Sequence, residues 1–113
     1  MQGKILIVDA IATNRIVLKI KLSSAYYTVL QATSVAEALK IASQEQPNLV
    51  ITAFDLPDAD AGALCAGLSK QEQTARIPIL AIGESDDLNA RKMMLSNGAQ
   101  DVLVKPVPDP LLL

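Results

Sequence analysis

The run KILIVD, residues 4–9, decides the fold. Its Ile5, Leu6, Ile7 and Val8 follow one another without a polar residue between them. A strand wetted on one face alternates apolar with polar side chains; a strand covered on both faces reads as an unbroken apolar run. The segment therefore predicts a fully buried strand, closed by Asp9. PNLVITA (47–53), IPILAIG (77–83) and QDVLVKP (100–106) have the same character. Pro47 can open its strand because a missing N–H is tolerated at a strand start. YTVLQA (27–32) is more mixed and is expected at a sheet edge.

Between these runs the apolar spacing changes to that of a helix. Residues 12–23, ATNRIVLKIKLS, place Ile16, Ile20 and the neighbouring Val17 on one stripe, with Arg15, Lys19 and Lys21 around it. SVAEALKIASQ (34–44) opens with Ser34 three residues before Glu37, the spacing of a capping box, and Ala38, Leu39, Ile41 and Ala42 then form an apolar face. GALCAGLSK (62–70) is a weaker helix with two glycines. SDDLNARKMMLSNG (85–98) has acids at its start and Gly98 after its end, as the helix dipole and the left-handed C-terminal position favour. Five apolar strands alternating with four helices predict a parallel sheet with helices on both faces. No repeat, linker or low-complexity tract interrupts the pattern, so residues 1–113 read as a single domain. VPDPLLL then begins a further helix that is cut short, which reads as a fragment of a longer multidomain protein.

Composition narrows the function. The 113 residues are 50% hydrophobic but include one Phe and two Tyr, so the core must be aliphatic. Net charge is −2, from 10 basic and 12 acidic residues in no like-charged block. Direct binding to nucleic acid or to an anionic membrane is not expected. With no His, the commonest general base and metal ligand is missing. The lone Cys65, set among Leu64, Ala66 and Leu68, reads as core filler, and one cysteine cannot form a disulfide within the chain. A reducing cytoplasm is the expected location. The apolar run at residues 5–8 is too short for a signal peptide or a membrane span.

In a doubly wound sheet, ligands meet the carboxyl ends of the strands. Those ends carry Asp9-Ala10, Ala53, Gly83-Glu84 and Lys105-Pro106. Ala53 leads into a loop, FDLPDADAG, that holds Asp55, Asp58 and Asp60. An acid ending the first strand, D-x-P after the third, a small residue ending the fourth and K-P ending the fifth resemble the receiver domain of bacterial response regulators. ILIVDAIATNRIVL, AYYTVLQA and GAQDVLVKP are similar to the first receiver of diguanylate-cyclase regulators of the receiver–receiver–GGDEF type. The resemblance runs through the whole chain to the shortened last helix. It implies a flavodoxin-like doubly wound five-stranded parallel sheet of order 2-1-3-4-5.

The resemblance also implies a chemistry. In the family, an aspartate ending the third strand takes a phosphoryl group from a histidine kinase, and two adjacent acids after the first strand help hold Mg²⁺. A Thr or Ser ending the fourth strand and a Lys ending the fifth grip the phosphate, and an aromatic three residues before the Lys reports the event. On this sequence Asp9 matches the first acid and Ala10 stands at the second. Counting back from Pro57 places the acceptor at Ala53, whose methyl group cannot be phosphorylated. Gly83 stands at the Thr/Ser position and Val102 at the aromatic one, while Lys105 and Pro106 match.

The remnant pocket expected from this pattern is Asp9, Ala10, Ala53, Gly83 and Lys105, with no catalytic residue and no metal ligand set. Mg²⁺ is not expected, because Asp9 with carbonyls and water is a thin set of donors. Lys105 is expected to pair with Asp9, and Glu84 at the pocket mouth would repel an incoming phosphoryl group. Asp55 is the alternative acceptor, but in extended chain it lies about 6.5–7 Å beyond Ala53. In-line transfer loses about 10²-fold for roughly 1 Å of misplacement. The loop aspartates are expected to solvate the turn and cap the helix that starts near Gly62. The reading is a degenerate, non-phosphorylatable receiver acting as a protein-interaction or dimerisation module, with another receiver, an output domain or a second copy as partner. It is not an enzyme itself, although its parent protein could carry a diguanylate cyclase. The alternatives are an active receiver using Asp55 and a flavodoxin-like small-molecule binder. Against the latter, DAIATN is not a glycine-rich phosphate cradle and there are too few aromatics to hold a flavin.

Overall fold

The structure is a computed structural model that describes residues 3–53, 56–59, 61–83 and 101–104. The run that opened the sequence reading forms β1, Lys4–Val8. It is followed by α1 (Ala12–Ser24), β2 (Thr28–Ala32), α2 (Val35–Glu45), β3 (Leu49–Ala53), α3 (Ala61–Lys70), β4 (Ile79–Gly83) and β5 (Asp101–Val104). The five strands form one sheet of order β2-β1-β3-β4-β5, and every pair is parallel. The mixed strand β2 stands at the edge, as its composition predicts. The helix expected over 85–98 and the one expected to begin after the fifth strand lie outside the described residues.

Strand register explains why the runs do not alternate. Leu6 pairs with Leu30 on one side and Val50 on the other, and Val50 pairs with Ile79. This row faces α2 and α3, in a core shared with Val35, Ala38, Ala42, Leu64, Cys65 and Leu68. Cys65 is buried there as filler, as the sequence indicates. One residue further along, Ile7 pairs with Ile51, and Ile51 pairs with Leu80. That row faces the opposite way, in a second cluster with Leu18 and Leu22 of α1. Both faces of the central strands are thus buried.

The helix α1 turns its apolar residues two ways. Asn14, Leu18 and Leu22 recur at the four-residue spacing of one helix face, and Leu22 is fully buried. The stripe singled out in the sequence lies on the outside: Ile16, Val17 and Ile20 are 53%, 48% and 61% exposed. Past the C-cap Ala25, Tyr26 takes a left-handed φ of 69°. The Tyr26 N–H donates to Ser23 O at 3.0 Å and the Tyr27 N–H to Leu22 O at 3.1 Å, the paired bonds of a Schellman end.

The capping box of α2 forms at its first half: the Glu37 N–H donates to Ser34 Oγ at 3.2 Å. The Glu37 carboxylate reaches back one residue further than the motif requires, accepting from the Thr33 N–H at 2.9 Å. The helix ends at Gln46, left-handed with φ 47°, and Pro47 follows. After α3, the buried Thr74 hydroxyl donates to Leu68 O at 2.6 Å. It thereby satisfies one of the carbonyls that a helix end leaves open.

Candidate functional site

Parallel strands bring their carboxyl ends to one edge. Val8 pairs with Thr52, so Asp9 and Ala53 are the next positions on neighbouring strands. Ala53 pairs with Ile82, and Gly83 with Val104. The topology thus assembles Asp9, Ala10, Ala53 and Gly83 along one rim. Lys105, Asp55, Asp60 and Glu84 lie outside the described residues, and so does the expected Asp9–Lys105 ion pair.

Asp9 is buried, with 6% of its surface exposed, so its carboxylate needs partners inside the protein. Oδ1 accepts the Ile11 N–H at 2.9 Å, and Oδ2 accepts from Asn14 Nδ2 at 3.1 Å. Its main chain is also fixed. The Asp9 N–H donates to Ala32 O at 3.0 Å, and its carbonyl accepts from Arg15 Nη1 at 2.7 Å. The same guanidinium donates through Nε to Gln31 Oε1 at 3.3 Å. Asp9 therefore joins the end of β1 to β2 and to the first turn of α1. The Ile11 N–H is one of the donors that a helix start leaves without an internal partner.

Beside this acid the described rim carries two alanines. Ala10 is exposed and Ala53 half-buried, and both end in a methyl group. Thr52, just inside the rim, is buried, and its hydroxyl donates to Ala53 O at 3.0 Å. Among the described residues no three His, Cys, Asp or Glu side chains converge on a common point. No helix among them is long and apolar enough to cross a membrane.

The loop acid Asp58 does something the sequence reading missed. It was expected to cap the helix that follows, near Gly62; it caps the preceding one. Its Oδ1 accepts the Val35 N–H at 2.9 Å and its Oδ2 the Ala36 N–H at 3.0 Å, both in the first turn of α2. These bonds to Ala36 and Val35 hold the carboxyl below the usual range for aspartate. Loop acids commonly serve the nearest helix start, and nothing local in LPDADAG points 22 residues back. Asn14 was legible in principle, since it shares the inward face with Leu18 and Leu22.

Comparison with known proteins agrees with this geometry. The family model described as the response regulator receiver domain matches residues 5–113. The response regulator PleD of Caulobacter vibrioides is 33% identical over 112 residues, which cover 99% of this chain and 25% of PleD. The DNA-binding dual master transcriptional regulator RpaA of Synechocystis is 32% identical over 103 residues, 91% of this chain and 43% of RpaA. The chain thus spans a quarter to under half of the length of these relatives. Among solved structures, the signal receiver domain of a histidine kinase from Syntrophus aciditrophicus superposes with a TM-score of 0.88 at 31% identity. That match covers 97% of this chain and 83% of the other. The receiver domain of a sensor histidine kinase from Pseudomonas aeruginosa, with a magnesium ion coordinated in its active site cleft, superposes with a TM-score of 0.90 at 25% identity. It covers 99% of this chain and 92% of that one.

Proposed function

The chain belongs to the response regulator receiver domain family, and from that membership we propose that it is a receiver that has given up phosphoryl transfer and acts by contact. Its role in this reading is that of a protein-interaction or dimerisation module of two-component signalling. It is a cytoplasmic module and not an enzyme, and it pairs with another receiver, an output domain or a second copy.

One observation carries the reading: the residue ending β3, at the rim where a parallel sheet presents its ligands, is Ala53. Its methyl carbon has no lone pair with which to attack phosphorus. The neighbouring residues support the same conclusion. A hard divalent cation such as Mg²⁺ wants several oxygen ligands near octahedral geometry. Here Ala10 offers a methyl group, and the two oxygens of Asp9 are already hydrogen-bonded to the Ile11 N–H and to Asn14. This set does not fit a dedicated Mg²⁺ site, and no step is assigned to the metal. Gly83 brings no hydroxyl to the end of β4. The surroundings match the lost acceptor: a domain that receives no phosphate has no use for the groups that hold and report it.

The test is to incubate the chain with acetyl phosphate and Mg²⁺ and measure its intact mass. The expected spectrum is unchanged. A gain of one phosphoryl group at a carboxylate, with Asp55 the first position to check, would overturn the proposal.

A further inference from the structure

The loop after β3 is anchored in three ways. Leu56 and Ala59 pack against the core between the sheet and α2 and α3. The Leu56 N–H donates to Ala59 O at 3.0 Å, closing a tight turn. Asp58, within that turn, gives one carboxylate oxygen to each of the Val35 and Ala36 N–H groups. The remaining start of α2 is satisfied locally. The Glu37 N–H is capped by Ser34, and the Ala38 N–H donates to Ser34 O at 3.0 Å. The helix therefore has its own cap, and the bond to Asp58 ties two distant segments as well as finishing a helix end.

We propose that Asp58 is a latch coupling the turn at residues 56–59, beside the tip of β3, to the first turn of α2, so that the two order and loosen together. A carboxylate suits the task, since its two oxygens match two adjacent N–H groups, and its charge complements the positive end of the helix dipole. The consequence is directional. A partner that fixes or displaces the start of α2 alters the turn at residues 56–59, and a change in that turn reaches α2 by the same bonds. The inference does not depend on whether the domain accepts a phosphoryl group.

Amide hydrogen exchange by NMR on the whole 113-residue chain tests it, read at Val35, Ala36, Glu37 and Leu56. Asp58→Ala should speed exchange at Val35, Ala36 and Leu56 together, each by about tenfold. Ser34→Ala should speed exchange at Glu37 by a similar factor and leave Leu56 within about twofold. Asp58→Asn, which keeps one acceptor oxygen, should fall between wild type and Asp58→Ala at all three amides and guards against a variant that fails to fold. An unchanged Leu56 in both Asp58 variants would reduce the carboxylate to an ordinary helix cap and overturn the latch. So would a Leu56 that responds to Ser34→Ala as strongly as to Asp58→Ala, because turn order would then simply follow helix order.

Discussion

Leu39 of α2 lies against Gly67 of α3 so closely that a Cβ placed on the glycine would stand 2.9 Å from Leu39 Cδ2. The glycine costs helix propensity but leaves room for the Leu39 methyl groups between the two helices. Gly67→Val should destabilise the domain by about 1–3 kcal/mol through overpacking. In a Leu39→Ala background the same change should cost clearly less, because the obstructing methyls are gone. Urea unfolding of the four members of the double-mutant cycle measures the difference. Equal costs in both backgrounds would contradict the contact.

Asp9 is expected to matter for stability. Asp9→Ala leaves the Ile11 N–H and the Asn14 amide without their acceptor and should cost about 1–3 kcal/mol in urea unfolding. Asp9→Asn should cost less, since an amide oxygen can still accept from Ile11 and Asn14 can turn its own amide over. Equal stability of wild type and Asp9→Ala would show that these hydrogen bonds contribute nothing.

If the missing acids at the rim are what prevents phosphorylation, restoring them should bring it back. The double variant Ala10→Asp, Ala53→Asp is expected to gain one phosphoryl group from acetyl phosphate and Mg²⁺, seen by intact mass. Ala53→Asp alone should label more slowly, because a second carboxylate strengthens the hold on the cation. Wild type labelled as fast as the double variant would place the acceptor elsewhere.

Tyr26 occupies a left-handed position and is 75% exposed. That backbone region suits glycine and strains residues with a Cβ. Tyr26→Gly should therefore stabilise the domain by about 0.5–1 kcal/mol, after allowing for the freedom glycine gains on unfolding. Thermal melting reads it as a higher Tm, and a lower Tm would mean that the tyrosine ring makes contacts worth more than the strain.

The Asp58 carboxyl is held below its usual range by the Ala36 and Val35 N–H groups, so the folded state binds its proton less readily than the unfolded chain. Its contribution to stability is full above the ordinary aspartate pKa. It is lost as pH falls below that value and through the lowered folded one. Wild type should exceed Asp58→Asn in urea midpoint at neutral pH, and the gap should close on acidification below about pH 4. A gap that stays constant down to the acid-unfolding limit would show that the charge is not involved.

How much of this was legible in the sequence follows from the range of each interaction. The strands could be read because burial on both faces leaves a continuous apolar run, as in residues 5–8, and the edge position of β2 because its run is mixed. The Ser34 cap could be read because its partner Glu37 is three residues away. The orientation of α1 could not, because periodicity yields two stripes without saying which one meets the sheet. Ile16, Val17 and Ile20 look more apolar than Asn14, Leu18 and Leu22, yet the polar Asn14 is turned inward by Asp9. The reach of Asp58 to α2 was equally hidden, since only the crossover of the chain brings those segments together.

Among the described residues the sheet divides the interior into two rooms that share no side chain, one lined by α2 and α3 and the other by α1. Each room can be refurnished by mutation without disturbing the fittings of the other, so long as the wall of main-chain hydrogen bonds stands. Selection for a new contact on one outer surface then need not reshape the other.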